Sequence, residues 1–232
     1  MATTYTLIPG AGGSAWYWHQ VTPRLIARGA EAIAVDLPAA DDSADLSTYA
    51  ETVVSAVADV SGPLILVGQS MGAFTVPIVA ERRTPALIIL VNPMVPAPGE
   101  APGQWWDATG QKAAMAAFFR RIGLTRTEFD PVEDFFHDVP ARIREAAFSQ
   151  PEPRQSGTPF AQPWPLKGWP DVPTRVVQGG DDRFFPLEFQ RRVVAERLGL
   201  DIDVIRGGHL VALSQPEALV DRLEAYREAA GL

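Results

Sequence analysis

The stretch LILVGQSMGAFTVPIVA (residues 64–80) decides the fold. It consists of an apolar run, a serine with a glycine two residues to either side, and a second apolar run. Apolar residues at consecutive positions are typical of a strand whose two faces are both buried in a parallel sheet. The stretch therefore predicts a buried strand, a sharp turn at Ser70 and a following helix.

Strands and helices alternate along most of the chain. The runs predicted as strands are YTLI, AIAV, LILV, ALIILV, TRVVQ and IDVI, and the predicted helices cover residues 16–28, 47–59, 71–83, 187–198 and 215–229. This alternation predicts an α/β domain with a mostly parallel sheet, right-handed crossovers and helices on both faces. Pro77 predicts a kink or a short first segment in the helix after Ser70. Ser214 and Glu217 have the spacing of a capping box at the start of the last helix.

The motif G-Q-S-M-G, between a buried strand and a helix, has the pattern of a nucleophile elbow. In such a turn the residues beside the serine must be small, because strand and helix would otherwise collide, and this accounts for Gly68 and Gly72. The serine is expected in a strained backbone conformation, with its Oγ exposed above the edge of the sheet. G-x-S-x-G alone also occurs by chance, so the alternative is a tight turn without chemistry.

A serine hydroxyl is a strong nucleophile only when a base removes its proton and an acid orients that base. The chain has three histidines, and elbow enzymes carry the triad in the order serine, acid, histidine. His209 is the candidate in the right place, because it follows the last strand in a loop where two glycines allow the ring to reach Ser70. His19, in the first predicted helix, is expected to be a surface or packing residue.

The acid is expected after an earlier strand. Asp181 and Asp182 directly follow the penultimate strand, whereas the position after the strand before it holds Asn92 instead of a carboxylate. A polar turn without a catalytic role is the alternative for this GGDD sequence. Physical reasoning alone does not choose between the two aspartates.

The motifs G-Q-S-M-G, G-G-D-D-R-F-F-P and G-G-H before the last helix resemble those of the α/β-hydrolase fold, over essentially the whole chain. In detail the chain is most similar to the small branch that includes plant methyl esterases and hydroxynitrile lyases. The loop IPGAGGSAWYWHQVTPRL (residues 8–25) resembles the glycine-then-tryptophan loop of that branch. In the family the acid precedes a proline by four residues, which implies Asp182, four residues before Pro186, with Asp181 as the fallback.

The resemblance also implies an oxyanion hole built from two backbone N–H groups. One donor is the residue after the nucleophile, Met71, and the other lies in the first loop, at Ala11 or its neighbour Gly12. The loss of one such donor costs about 3 kcal/mol of transition-state stabilisation. The chain departs from the family pattern at Pro9, where a histidine is usual; that histidine orients the loop and is not part of the triad, so activity is expected to survive.

Residues 97–165 interrupt the alternation, contain no convincing strand and are rich in proline at both edges. Long insertions in compact domains are usually functional, and many are lids. We expect residues 1–96 and 166–232 to form the core, and residues 97–165 to form a helical cap inserted after the strand that ends near Val91. Most aromatic side chains of the cap are expected to pack together, while a few line a substrate pocket. The candidates for that pocket are Trp105, Trp106, Phe135, Phe136 and His137, the last with cap packing as the favoured alternative.

Composition excludes several classes of function. The 232 residues carry a net charge of −8, which argues against nucleic acid and anionic membranes, and no apolar run is long enough to span a bilayer. The absence of cysteine excludes disulfides, thiolate metal sites and a cysteine nucleophile. No metal or organic cofactor is expected, because the histidines are dispersed.

The N-terminal residues lead directly into a strand, so a cytoplasmic location is expected, while formation of a homodimer stays open.

The expected function is hydrolysis of a carboxylic ester through an acyl-enzyme intermediate. The expected substrate is of small to medium size and partly apolar. One alternative keeps the triad and changes the reaction to that of a lactonase, a thioesterase or a carbon–carbon lyase. Such lyases usually carry a threonine in the oxyanion loop and a lysine near the substrate, whereas this chain has Ala11 and only two lysines, Lys112 and Lys167. The least favoured alternative is a ligand receptor on a hydrolase scaffold.

Overall fold

A computed structural model of the chain describes residues 2–232. Over this range the chain forms one six-stranded sheet, eleven α-helices and a 3-10 helix at Ala15–Trp18. The strands are β1 (Thr4–Ile8), β2 (Glu31–Ala34), β3 (Leu64–Gln69), β4 (Leu87–Val91), β5 (Thr174–Gly179) and β6 (Asp203–Ile205). The helices are α1 (Val21–Ala27), α2 (Leu46–Ala56), α3 (Gly72–Arg82), α4 (Trp105–Thr109), α5 (Gln111–Arg121), α6 (Pro131–Phe135), α7 (Ala141–Phe148), α8 (Thr158–Ala161), α9 (Leu187–Leu198), α10 (Val211–Ser214) and α11 (Pro216–Ala229).

The strand order is β2-β1-β3-β4-β5-β6, and every pairing is parallel. The chain passes from β1 outward to β2 and then crosses back to β3, so the order reverses between β1 and β3. At such a switch point the loops that follow the two strands leave a crevice at the carboxyl edge of the sheet. The loop after β1 and the turn after β3 meet in this crevice, where a Cβ atom on Gly10 would lie 2.9 Å from the Cβ of Ser70.

Both faces of the sheet are buried, which explains the apolar residues at consecutive strand positions. In β3, Leu64 and Leu66 point to one face while Ile65 and Val67 point to the other, and all four are buried. Helices α2, α3 and α9 cover the first face, and α1 and α11 cover the second. The predicted α/β architecture and all six predicted strands are confirmed.

The prediction of a single helix over residues 16–28 is wrong. The chain forms the 3-10 helix at Ala15–Trp18 and then begins a separate helix, α1, at Val21. Pro23 explains the new start, because it falls in the first turn of α1, where backbone N–H groups have no partner within the helix.

Two further predictions about helix ends and breaks are corrected. The last helix begins at Pro216 with Gln215 as its N-cap, and Ser214, the predicted cap residue, ends α10 instead. Proline is favoured at the first helical position because its fixed φ suits the helix and its missing N–H is not needed there. Helix α3 continues through Pro77 as one element, so the predicted short first segment does not form, and the kink predicted as the other outcome stays a prediction.

Residues 97–165 form five helices, α4 to α8, and contain no strand. The segment leaves the sheet after β4, at the carboxyl edge where the crevice lies, and the chain then crosses to the amino end of β5. Within residues 2–232 no helix combines the length and the apolar character that crossing a bilayer requires.

Candidate active site

Ser70 lies in the turn between β3 and α3, with a left-handed backbone at φ +50°. Such a φ is uncommon for a residue other than glycine and marks a strained position. The glycines around it meet two different steric demands. A Cβ on Gly68 would lie 2.5 Å from Val76 of the helix, whereas a Cβ on Gly72 would lie 2.7 Å from the carbonyl oxygen of Pro9 in the first loop. Gly68 therefore allows the strand-to-helix packing, and Gly72 allows the first loop to approach Ser70.

The structure brings Ser70, His209 and Asp182 into one hydrogen-bonded chain. The Nε2 atom of His209 lies 3.1 Å from Ser70 Oγ, and its Nδ1 atom lies 2.8 Å from Asp182 Oδ2. All three residues are buried, and Ser70 is 7% exposed, so the serine is more enclosed than the predicted turn with an exposed Oγ. Because a carboxylate only accepts hydrogen bonds, Nδ1 carries the proton, and Nε2 is left to accept the hydroxyl proton of Ser70.

Four N–H groups surround the carboxylate of Asp182. Oδ1 accepts from the backbone N–H groups of Phe184 and Phe185, at 2.8 and 2.9 Å. Oδ2 accepts from His209 and from the side-chain amide of Gln178, the latter at 3.1 Å. These donors fix the orientation of the carboxylate, so that it in turn fixes the imidazole.

Asp181 has a different environment from Asp182. Its side chain is exposed, and its Oδ2 atom accepts the backbone N–H of Gly207 at 3.2 Å. It braces the start of the His209 loop and makes no hydrogen bond to the imidazole within the described chain. The placement thus favours Asp182 over Asp181 as the partner of His209.

The backbone N–H groups of Ala11 and Met71 have no hydrogen-bond partner among residues 2–232. By contrast, the N–H of Gly12 donates to Oε1 of Gln155 at 2.9 Å. Gln155 comes from the segment after α7, and it also donates to the hydroxyl of Tyr49 at 3.1 Å. Of the two candidates in the first loop, Ala11 therefore has the free N–H group.

Aromatic rings enclose the imidazole of His209. Phe135, at the end of α6, stacks on it with ring centroids 5.0 Å apart, and Phe184 and Phe185 contact it edge to face at 5.3 and 4.9 Å. Phe135 and Phe184 also contact each other at 5.1 Å. The hydrogen-bonded chain of Ser70, His209 and Asp182 therefore lies beside an apolar wall to which residues 97–165 and the rest of the chain both contribute.

The other four residues predicted to line the pocket lie further from the imidazole. Trp106 contacts Phe184 at 5.4 Å and so extends the aromatic wall. Trp105 is fully buried and donates its indole N–H to Val95, which is a packing role, and Phe136 packs on the exposed Phe148. These placements lend no support to Trp105 or Phe136 as pocket residues.

His137 lies behind the loop that carries His209. A Cβ on Gly208 would be 2.6 Å from His137 Nε2 and 2.9 Å from Asp138 Oδ1. Asp138 accepts the backbone N–H of Gly208 at 2.7 Å, so this part of residues 97–165 supports the loop from the side. His137 and Asp138 also line a cavity of about 630 Å³ together with Asp181 and Arg183.

An ion pair holds the helix that presents Phe135. The carboxylate of Asp134 is fully buried and accepts both guanidinium N–H groups of Arg126 and the backbone N–H of Asp130. Burial alone raises the pKa of this carboxyl, but the hydrogen bonds and the positive charges of Arg126 and Arg183 outweigh burial and hold the pKa below its usual value. The pair therefore stabilises α6 beside the site.

Sequence reasoning did not assign a role in the site to Gln178, Phe184, Phe185 or Gln155. Phe184 and Phe185 are part of the GGDDRFFP motif, so their closeness to the acid was a usable signal. Gln178 lies four residues before Asp182, but no local pattern marks its role. Gln155 reaches the site only through the folded arrangement of distant segments.

Known proteins with similar sequences are hydrolases and esterases. The sequence model of the alpha/beta hydrolase family matches residues 7–222. The chain is 32% identical, over 266 aligned positions, to a rice protein (Oryza sativa subsp. indica) described as the probable esterase PIR7A, with 94% of each protein covered. It is 24% identical to a pyrethroid hydrolase of Sphingobium wenxiniae, over 98% of this chain and 88% of that protein.

Solved structures share the fold. The crystal structure of a pyrethroid hydrolase from Sphingobium faniae matches with a TM-score of 0.77 at 22% identity, over 99% of this chain and 98% of the other. That of polyneuridine aldehyde esterase matches with a TM-score of 0.79 at 20% identity, over 98% and 100% of the two chains. Because the family match extends over nearly the whole sequence, the chain belongs to the alpha/beta hydrolase family.

Proposed function

We propose that the protein hydrolyses carboxylic esters through an acyl-enzyme on Ser70. The observation that carries the proposal is the hydrogen-bonded chain from Ser70 through His209 to Asp182, with contacts of 3.1 and 2.8 Å. A serine next to a base, with the base held by an acid, is the arrangement that activates a hydroxyl for acyl transfer. The relatives named as esterases and hydrolases support the same bond type.

In the first half-reaction, Ser70 Oγ attacks the ester carbonyl carbon while His209 Nε2 takes the hydroxyl proton. Asp182 keeps the imidazole in the required tautomer and stabilises the imidazolium that forms. Collapse of the tetrahedral intermediate breaks the bond to the leaving alcohol, and His209 returns its proton to the alcohol oxygen. The product is an acyl ester on Ser70.

The second half-reaction repeats these steps with water as the nucleophile. His209 takes a proton from the water, the resulting hydroxide attacks the acyl carbon, and the imidazolium then protonates Ser70 Oγ as the carboxylic acid leaves. In both halves the negative charge develops on the former carbonyl oxygen. The free N–H groups of Ala11 and Met71 are the donors proposed to hold that charge.

The aromatic wall favours a partly apolar substrate of small to medium size. Phe135 offers apolar surface beside the imidazole, and Trp106 extends this surface through Phe184. Both Phe135 and Trp106 come from residues 97–165, the segment proposed here as a cap. Apolar walls with a few placed polar groups are typical of sites for small molecules. A cytoplasmic location stays a prediction, to be checked by localisation of the tagged protein, and light scattering would decide whether a homodimer forms.

Two observations bear on the alternatives with the same triad. Lyases of this fold usually carry a lysine near the substrate, whereas Lys112 and Lys167 are both exposed and make no hydrogen bond to Ser70 or His209. The tripartite hydrogen-bonded chain is intact, which a receptor without turnover would not need. We therefore place ester hydrolysis ahead of carbon–carbon cleavage and ligand reception.

A panel of p-nitrophenyl esters from acetate to octanoate tests the proposal. We expect the wild-type protein to release p-nitrophenol with saturation kinetics, and Ser70→Ala to lose almost all of this activity. Parallel assays with a lactone, a thioester and a cyanohydrin separate the alternatives. Equal rates for the wild type and Ser70→Ala on every ester contradict the proposal.

A further inference from the structure

Asn92 shares a backbone property with Ser70. These two are the residues other than glycine with a positive φ within the described part of the chain, at +46° and +50°. Asn92 follows β4 directly and is fully buried. Strained backbone positions persist only where the surrounding structure holds them, and they cluster at functional sites. Asparagine is one of the few side chains that tolerate this backbone region.

The side-chain amide of Asn92 joins the loop of His209 to the end of β5. Its nitrogen donates to the carbonyl oxygens of Gly208 and His209, both at 3.0 Å. Its oxygen accepts the backbone N–H of Gly179, at the end of β5, at 2.8 Å. A carboxamide group carries two N–H donors and one acceptor oxygen, so no other side chain of this size can donate to both carbonyl oxygens and also accept the Gly179 N–H.

The end of β4 supports the nucleophile as well as the histidine. The carbonyl oxygen of Val91 accepts the backbone N–H of Ser70 at 3.0 Å, and the next residue, Asn92, holds the main chain of His209. Two adjacent residues at one strand end therefore hold the main chains of both Ser70 and His209, whose side chains are 3.1 Å apart. A displacement of about 1 Å between reacting groups can cost on the order of 10²-fold in rate.

We infer that Asn92 is a positioning residue for His209, acting through the main-chain carbonyls of the loop; the inference rests on the proposed function. Asn92 occupies the strand end where a carboxylate would be an alternative acid, but its head group faces the carbonyl oxygens of Gly208 and His209. Its contacts therefore orient the loop and do not accept a proton from the imidazole. A carboxylate at this position would face two carbonyl oxygens and push the loop away.

The test uses two variants of Asn92 and one control. Asn92→Asp keeps the size of the side chain and the acceptor for Gly179, but loses the donors to the loop. Asn92→Gly tolerates the left-handed backbone and removes all three contacts. The control is Gln190→Leu, which removes a fully buried amide that donates to the carbonyl oxygen of Pro93 at 2.9 Å and does not contact the loop.

Turnover is measured per active site, with the sites counted by fluorophosphonate labelling, so that loss of folded protein does not count as loss of rate. We expect kcat per site to fall on the order of 10²-fold in both Asn92 variants, with a much smaller change in KM, and to stay at the wild-type value in Gln190→Leu. Wild-type kcat per site in Asn92→Asp and Asn92→Gly, whatever their thermal stability, overturns the inference.

A spectroscopic readout separates failure of the inference from failure of the proposed function. The chain has three histidines, so the downfield proton of His209 Nδ1 can be assigned by its loss in His209→Gln. We expect this resonance to shift or broaden in Asn92→Asp and Asn92→Gly and to be unchanged in Gln190→Leu. An unchanged resonance in all three variants overturns the inference even if the wild type hydrolyses no ester. Absence of Ser70-dependent hydrolysis with a shifted resonance contradicts only the proposed function.

Discussion

Phe135 lies nearly parallel to the imidazole of His209, with ring centroids 5.0 Å apart and planes inclined by 24°. The contact joins residues 97–165 directly to the hydrogen-bonded chain of the site. Phe135 also contacts Phe184, which in turn contacts Trp106, so the three rings form a continuous apolar surface. This surface lies where part of an ester would be bound.

Removal of this surface is expected to change substrate preference. In Phe135→Ala and Trp106→Ala, kcat/KM for p-nitrophenyl hexanoate should fall on the order of tenfold, while p-nitrophenyl acetate keeps most of its kcat. The control is Phe148→Ala, because Phe148 is an exposed aromatic residue of the same segment that packs on Phe136. If kcat/KM depends on acyl length in Phe135→Ala and Trp106→Ala as it does in the wild type and in Phe148→Ala, the segment is only a structural cover.

The contact between Gln155 and Gly12 distinguishes the two candidate donors of the oxyanion hole. If Ala11 is the donor, Gln155 steadies its loop, and Gln155→Ala should lower kcat several-fold. If Gly12 is the donor, Gln155 blocks it, and the same variant should be more active than the wild type. We expect the lower kcat, measured on p-nitrophenyl acetate, and no change in the control Gln150→Ala, an exposed amide of the same segment.

The two neighbouring aspartates should respond very differently to loss of charge. Asp182→Asn presents an amide to His209 Nδ1 and favours the wrong tautomer, so kcat should fall on the order of 10⁴-fold, as in comparable triads. Asp181→Asn keeps an acceptor for the Gly207 N–H and should have a mild effect. Steady-state kinetics of the two variants on one ester suffice, and the opposite order of effects would move the acid to Asp181.

The features that could be predicted from the sequence are those with a local sequence pattern. The central strands β1, β3 and β4 could be predicted because every residue in them is buried, and Ser70 and His209 could be picked as candidates because each lies in a short motif with a fixed relation to a strand end. The membership in the hydrolase family, expected from these motifs, is confirmed. Errors occurred at helix boundaries, where a proline at the first position outweighed the capping box at Ser214.

Contacts between distant segments could not be predicted in this way. Gln155 and Gly12 are 143 residues apart, and Asn92 and Gly208 are 116 residues apart. Neither pair has a spacing or composition that marks it, because only the strand order brings the segments together. The position of Trp105 could not be predicted from the sequence either. Its aromatic side chain was a candidate for the pocket wall, whereas in the folded chain its indole is fully buried and hydrogen-bonded to Val95.

The buried ion pair below Phe135 should make stability depend on pH. The pKa of the Asp134 carboxyl is held below its unfolded value, so its contribution is complete above about pH 4 and is lost as pH falls through the folded pKa. Asp134→Asn should therefore lower the free energy of unfolding by roughly 2–3 kcal/mol at pH 7. The difference from the wild type should shrink in urea titrations below pH 4.

An exposed ion pair supplies the control for that measurement. Asp42 pairs with Arg154 at 3.0 Å, with both side chains largely in solvent. Asp42→Asn should change stability by less than about 1 kcal/mol at any pH. Equal destabilisation by Asp42→Asn and Asp134→Asn would mean that the burial of Asp134 adds nothing.

Covalent labelling is the most direct test of the claim that Ser70 is a nucleophile activated by His209. A fluorophosphonate probe reacts with a serine whose hydroxyl is activated by a neighbouring base, and the adduct is located by mass spectrometry of the digested protein. We predict a single adduct on the peptide that contains Ser70 in the wild type, strongly slowed labelling in His209→Gln, and no adduct in Ser70→Ala. Labelling of Ser70→Ala at the wild-type rate, or an adduct on another residue, would contradict the account.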